Sequence, residues 1–142
     1  MEQLKAKATY ATKLAIIAFL LHLVWENAQA PLYAGYQSFS RHFPMCLMGA
    51  IGDVGITLSV LALVWIFKKD TSWITTDFFM LAIIGFVIAV VIEQHALLTG
   101  KWSYALAMPI IPSLKIGLVP AIQMTVLLPL SFYLAKSAKM YK

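Results

Sequence analysis

The amino-acid sequence predicts an all-α integral membrane protein: one four-transmembrane-helix bundle over residues 1–142, with both termini cytoplasmic. Three observations carry that expectation. The chain is 61% hydrophobic and 12% charged, against about 25% charged in a soluble domain. Its mean hydropathy of +0.82 leaves too little polar surface to cover a water-soluble fold. Its apolar residues gather into four runs, each close to the ~20 residues that a helix needs to cross hydrocarbon.

The first run covers about 13–30 and ends at Pro31. The second covers about 45–67 and ends at Lys68-Lys69-Asp70. The third covers about 77–98 and ends at Thr99-Gly100-Lys101. The fourth covers about 116–135 and ends at Lys136, with Pro120 in its first turns and Pro129 placed to kink it. At the N-terminus, Lys5, Lys7 and Lys13 precede the apolar run, and Ala28-Gln29-Ala30 mimics a signal-peptidase site. Glu26 and Asn27 interrupt that cleavage region and Pro31 would follow the cut, so the first helix is expected to stay uncleaved.

Basic residues set the orientation. The N-terminal tail, the Lys68-Lys69 connection and the C-terminal tail hold most of the positive charge, and the opposite side has Arg41, Lys101 and Lys115. The positive-inside rule then places both termini of this multi-pass protein in the cytoplasm. Tyr33, Tyr36, Phe39, Phe43, Trp102 and Tyr104 are expected at the outer interface, and Trp65, Trp73 and Tyr133 at the inner one. The net charge of +5 comes without a basic stripe alternating with aromatics, so nucleic acid is excluded as a partner. Cys46 is the single cysteine, which excludes an intrachain disulfide and a cysteine-based zinc site. There is no internal repeat of the kind that builds inverted-repeat transporters.

Glu26, Asp53 and Glu93 lie inside these apolar runs. A charge at membrane depth costs about 2.5–3.5 kcal/mol on insertion scales, so such groups face a protein interior and serve a purpose. At 1.5 Å per residue, Glu26, Asp53, Glu93 and Gln123 all fall roughly 20–24 Å from the cytoplasmic ends of their spans, at Lys13, Lys68, Asp77 and Lys136. Every span thus carries a polar group in the outer third of the hydrocarbon. His22, Glu26 and Gln29 are spaced i, i+4, i+7 and share one helix face. Gly49, Gly52 and Gly55 flank Asp53 and allow close helix approach. Glu93, Gln94 and His95 are consecutive and fan around the third helix, with Glu93 as the inward residue.

The expected site therefore has Glu26, Glu93 and Asp53 as its acid–base groups. His22, Gln29, Trp25, Trp102, Tyr104 and Gln123 are its ligand-binding groups, with the tryptophans as an aromatic wall. No metal or other cofactor is expected. His22, Glu26, Asp53, Glu93 and His95 are chemically suitable metal ligands, but they form no tight motif such as His-Glu-x-x-His. The proline-rich stretch 103–115 is read as a stiffened outer loop, with a re-entrant lid over the polar layer as the alternative.

The stretch Trp25-Glu26-Asn27-Ala28-Gln29-Ala30-Pro31-Leu32-Tyr33 is followed by Gly52-Asp53, Glu93 and Thr99-Gly100-Lys101-Trp102-Ser103-Tyr104. Met108-Pro109, Gly117-Leu118-Val119-Pro120 and Gln123 complete a pattern that resembles a group of small bacterial four-span membrane proteins. That resemblance covers most of the chain and implies the architecture alone. Glu26-x-x-Gln29-x-Pro31-x-Tyr33 is also similar to a stretch in the emopamil-binding family of sterol isomerases and sigma-2-like receptors. Those are four-span bundles with embedded carboxylates around an amphipathic ligand. Here the stretch falls in the first span, where that family carries it later. This second resemblance implies a mostly apolar ligand with one cationic or polar centre.

Three functions are compatible with this pattern. The first is a bundle that binds or modifies a lipid-like, amphipathic molecule by acid–base chemistry. The second is a proton-coupled transporter, as a homodimer because four short helices enclose little volume. The third is a non-catalytic subunit of a membrane complex.

Overall fold

The computed structural model describes residues 1–68 and 72–136. The described chain runs α1 (Glu2–Gln29), a single 3₁₀ turn (Ala30–Leu32), α2 (Phe39–Phe67), α3 (Thr75–Leu98), β1 (Ile110–Ile111), β2 (Ile116–Gly117) and α4 (Leu118–Ala135). All four α-helices are long and apolar enough to cross a membrane. Their outward faces are apolar too: Val24, Ile66 and Phe79 are each about 70% exposed, a surface suited to lipid and not to water.

Two helices begin earlier than the apolar runs. Residues 2–12 carry no helix breaker, so α1 begins well before the run that starts near Lys13, exposed over residues 2–9 and buried at Tyr10. In α2 the helix starts after Ser38 and continues through Pro44, which removes one backbone donor but does not stop it. The third run ends as expected, and for a visible reason. Gly100 adopts φ 67, the left-handed conformation. Lys101 N–H then bonds the Ala96 carbonyl at 2.9 Å and Gly100 N–H the Leu97 carbonyl at 3.3 Å. This is a Schellman closure, which glycine makes without steric penalty.

The helices form an arc in the order α2, α1, α4, α3: α1 packs on both α2 and α4, and α3 packs on α4. Leu81, Gly85, Ala89, Glu93 and Ala96 make the buried stripe of α3. A Cβ on Gly85 would strike the Met124 carbonyl, so the α3–α4 crossing depends on its absence. At the lysine-rich end the arc is filled by Tyr10, Leu14, Val60, Leu61, Trp73, Leu81, Leu128, Phe132 and Ala135. Trp73 is accordingly not an interface anchor: it is 9% exposed and packs against Phe78 and Phe132, with centroids 5.8 and 5.3 Å away. At the other end, α2 and α3 stand apart.

Residues 99–117 contain no helix, so 103–115 forms no helical re-entrant segment. The stretch is strapped to the α1–α2 connection. Ala34 N–H bonds the Ser103 carbonyl and Ala105 N–H bonds the Leu32 carbonyl, both at 2.9 Å, around an antiparallel Tyr33–Tyr104 bridge. Beyond it, β1 and β2 pair antiparallel, Ile110 opposite Gly117 and Ile111 opposite Ile116.

Candidate functional site

A cavity of about 1140 Å³ occupies the open end of the arc. One wall is α2, from Cys46 through Gly49, Gly52 and Asp53 to Ile56. The facing wall is α3, with Ala89, Ile92, Glu93 and Leu97. Glu26 and Gln29 of α1 and Gln123 and Met124 of α4 form the floor, and Tyr33, Trp102 and Ser103 close the strapped end. Met45 and Met48, 64% and 68% exposed, rim the side left open between α2 and α3.

The floor holds a continuous polar cluster. Gln123 Nε2 donates to Glu26 Oε1 at 2.9 Å and to Asp53 Oδ2 at 3.0 Å, which uses both of its hydrogens. His22 Nδ1 lies 2.9 Å from the same Asp53 oxygen and 3.1 Å from Gln123 Nε2. Since that amide has no hydrogen left, the proton on Nδ1 goes to Asp53. Gln29 Nε2 donates to Gln123 Oε1 at 2.7 Å and to Glu26 Oε1 at 3.3 Å. Each carboxylate thus receives two N–H groups. Gln123 ties three helices together, because its partners come from α1 and α2 while it belongs to α4.

His22 is fully buried, and its Nε2 has no hydrogen-bond partner among the described residues. Gly49 explains how α2 comes so close to α1. A Cβ there would lie 3.1 Å from the Glu26 carboxyl carbon. Cys46 Sγ sits 3.5 Å from the Glu26 carbonyl, so the lone thiol lies beside the cluster.

Glu93 stands apart from this cluster, on the α3 wall. Trp102 Nε1 donates to its Oε2 at 3.2 Å, and the Tyr104 hydroxyl donates to the same oxygen. Tyr33 packs against both rings, with centroids 6.2 Å from Trp102 and 5.7 Å from Tyr104. Burial, followed by the nearby Glu93 and Glu26 carboxylates, raises the Tyr33 phenol far above its ordinary range. Burial and the bond to Glu93 raise Tyr104 in the same sense. Both phenols therefore act as neutral donors.

Of the residues singled out in the sequence, Glu26, Asp53, Gln29 and Gln123 converge at the cavity floor with His22 behind them. Glu93 and Trp102 face the cavity from the other side. Tyr104 supports Glu93 without lining the cavity. Trp102 thus lines the cavity and Tyr104 reaches it only through Glu93. Trp25 is corrected: it does not line the cavity, because it lies one position from Glu26 and so points to another side of α1. His95 is exposed, two residues from Glu93 and off its face, and takes no part in the cluster. Among the described residues, no three His, Cys, Asp or Glu side chains converge as a metal site. Sequence reasoning kept Tyr33 as an interface aromatic and missed its place over Glu93. Its position two residues after Pro31 was the available signal.

Comparison with protein families, with curated proteins and with solved structures finds no match for this chain. The likenesses drawn above rest on the quoted residues alone.

Proposed function

We propose that the chain crosses a bacterial inner membrane four times with both termini in the cytoplasm. In that setting the cavity between α2 and α3 binds an amphipathic, lipid-like small molecule, with Glu26, Asp53 and Glu93 as its acid–base groups. The supporting observation is the cavity itself: about 1140 Å³, bordered by apolar residues of α2 and α3, with carboxyl groups concentrated at its floor and on one wall. Ligand sites are mostly apolar with a few placed polar groups, as here. The open side between α2 and α3 would face lipid, so a lipid-like molecule can reach the floor sideways. Glu26 meets the ligand from the floor and Glu93 from the wall. One carboxyl can then deliver a proton while another accepts one. Gln123 and Gln29 hold Glu26 in position through its Oε1. The orientation is supported by Lys5, Lys7, Lys13 and Lys68 at one end against Arg41, Lys101 and Lys115 at the other.

Cys46 offers the test, because the only thiol lines the cavity. Protein purified in a mild detergent is expected to react slowly with a lipid-soluble maleimide. Stripping with a harsher detergent should speed the reaction, and Glu26→Gln in mild detergent should behave like stripped protein. Equal rates in all three samples would contradict a bound occupant.

Transport is the second reading, supported by the run of hydrogen-bonded groups from Glu26 through Gln123 and Asp53 to fully buried His22. It predicts that a charged, water-soluble maleimide reaches Cys46 from both faces of sealed vesicles. A transporter built from four short helices is expected to work as a homodimer.

A further inference from the structure

We propose that the cavity between α2 and α3 takes a ligand whose polar head donates hydrogen bonds, an alcohol or an amine, and rejects a head that only accepts them. This rests on the reading that the cavity binds an amphipathic molecule, and it names the chemistry of that molecule's head.

The observation is the hydrogen-bond balance of the floor and the α3 wall. An amide nitrogen carries two hydrogens, and an indole nitrogen or a phenol carries one. Gln123 Nε2 spends both of its hydrogens on Glu26 and Asp53. Gln29 Nε2 spends both on Gln123 Oε1 and Glu26 Oε1. The Trp102 N–H and the Tyr104 and Tyr33 hydroxyls are all turned onto Glu93. The Cys46 thiol points at the Glu26 carbonyl. None of these side chains keeps an N–H or O–H for a ligand.

Acceptors are in surplus. Glu26 takes its two N–H groups on Oε1, and its Oε2 has no donor among the described residues. That oxygen lies beside Gly49, which lines the cavity and has no side chain to cover it. Asp53 receives Gln123 and His22 on Oδ2 alone. Gln29 is 3% exposed, and its Oε1 has no partner among the described residues. A ligand O–H or N–H supplies what these oxygens lack. An ether or ester head would meet them oxygen against oxygen, with its own desolvation uncompensated. The other donors on the lining, Lys101, Ser103 and His42, belong to the strapped end and the start of α2.

The test follows alkylation of Cys46 by a lipid-soluble maleimide on the detergent-stripped full chain. It is run at neutral pH, where a primary amine is protonated and does not consume the reagent. The probes are dodecanol, dodecylamine and dodecyl methyl ether, matched in chain. The alcohol, the amine or both should slow alkylation, and which of them does so identifies the head as hydroxyl or ammonium. The ether should be about tenfold less effective, the loss expected for one hydrogen bond to a charged group. Glu26→Gln keeps an oxygen for Gln123 and Gln29 and offers the cavity an amide N–H, so there the ether should gain on both donors. Equal protection by the ether and the better donor in the wild-type chain would show that a carboxyl offers its own proton and would overturn the proposal. An unchanged preference in Glu26→Gln would overturn it too. Protection by none of the probes would contradict the cavity reading itself, and the proposal with it.

Discussion

Gln123 donates to two carboxylates and accepts from Gln29, so replacing it separates structure from function at the scale of one side chain. Gln123→Leu removes the shared donor and leaves Glu26 and Asp53 short of partners. The expected cost is about 1–3 kcal/mol, read as a lower unfolding temperature in detergent. Gly49→Ala works in the opposite direction. Alanine favours helix over glycine by up to about 1 kcal/mol, yet its methyl would press on the Glu26 carboxyl from 3.1 Å. Slow, ligand-protected alkylation of Cys46 should be lost in Gly49→Ala while the unfolding temperature holds. A fall in both together would point to a packing role for the glycine alone. The phenols of Tyr33 and Tyr104 give a pH dependence. Both are raised above an ordinary value of 10.0, so the folded chain holds these protons more tightly than the unfolded one. Their contribution to stability is then complete below that pH and declines as pH rises beyond it. Thermal unfolding on both sides of that value should show the decline, and Tyr104→Phe should reduce it.

Individual elements carry the same logic. The Schellman closure at Gly100 reverses the chain so that Trp102 returns onto Glu93, nine residues back. Gly100→Ala forces a side chain into the left-handed region, at about 1–2 kcal/mol. It should loosen the Trp102–Glu93 contact, seen as a red-shifted or quenched tryptophan emission that Trp102→Phe abolishes. The four helices were legible in the sequence because hydropathy reports their apolar stretches directly. Their N-terminal ends were less so. Residues 2–12 and Phe39–Pro44 are helical without being apolar, and hydropathy is silent on such turns. The strap between residues 32–34 and 103–105 was not legible either. Main-chain pairing between two loops leaves no periodicity to read.

In the molecule as a whole, the two ends of the bundle divide the work. The lysine-rich end packs Leu14, Leu61, Leu128 and Phe132 into a closed core, and the other end leaves a cavity between α2 and α3. The shared height of Glu26, Asp53, Glu93 and Gln123 could be read from rise per residue alone, because each span is one straight ruler. Which of them touch could not, since that depends on the order of the helices in the arc. Thus Glu26, Asp53 and Gln123 meet, while Glu93 faces them with its own partners, Trp102 and Tyr104. His22 was found from its i, i+4 spacing to Glu26, but its bond to Asp53 needed the α1–α2 contact that Gly49 permits. The proposed function requires that the open end hold an amphipathic small molecule through Glu26 and its neighbours. Native mass spectrometry of gently purified protein, beside Glu26→Gln, tests it most directly. A small-molecule adduct is expected on the wild-type chain and lost from the variant. A bare chain in both samples, or the same adduct on both, would contradict it.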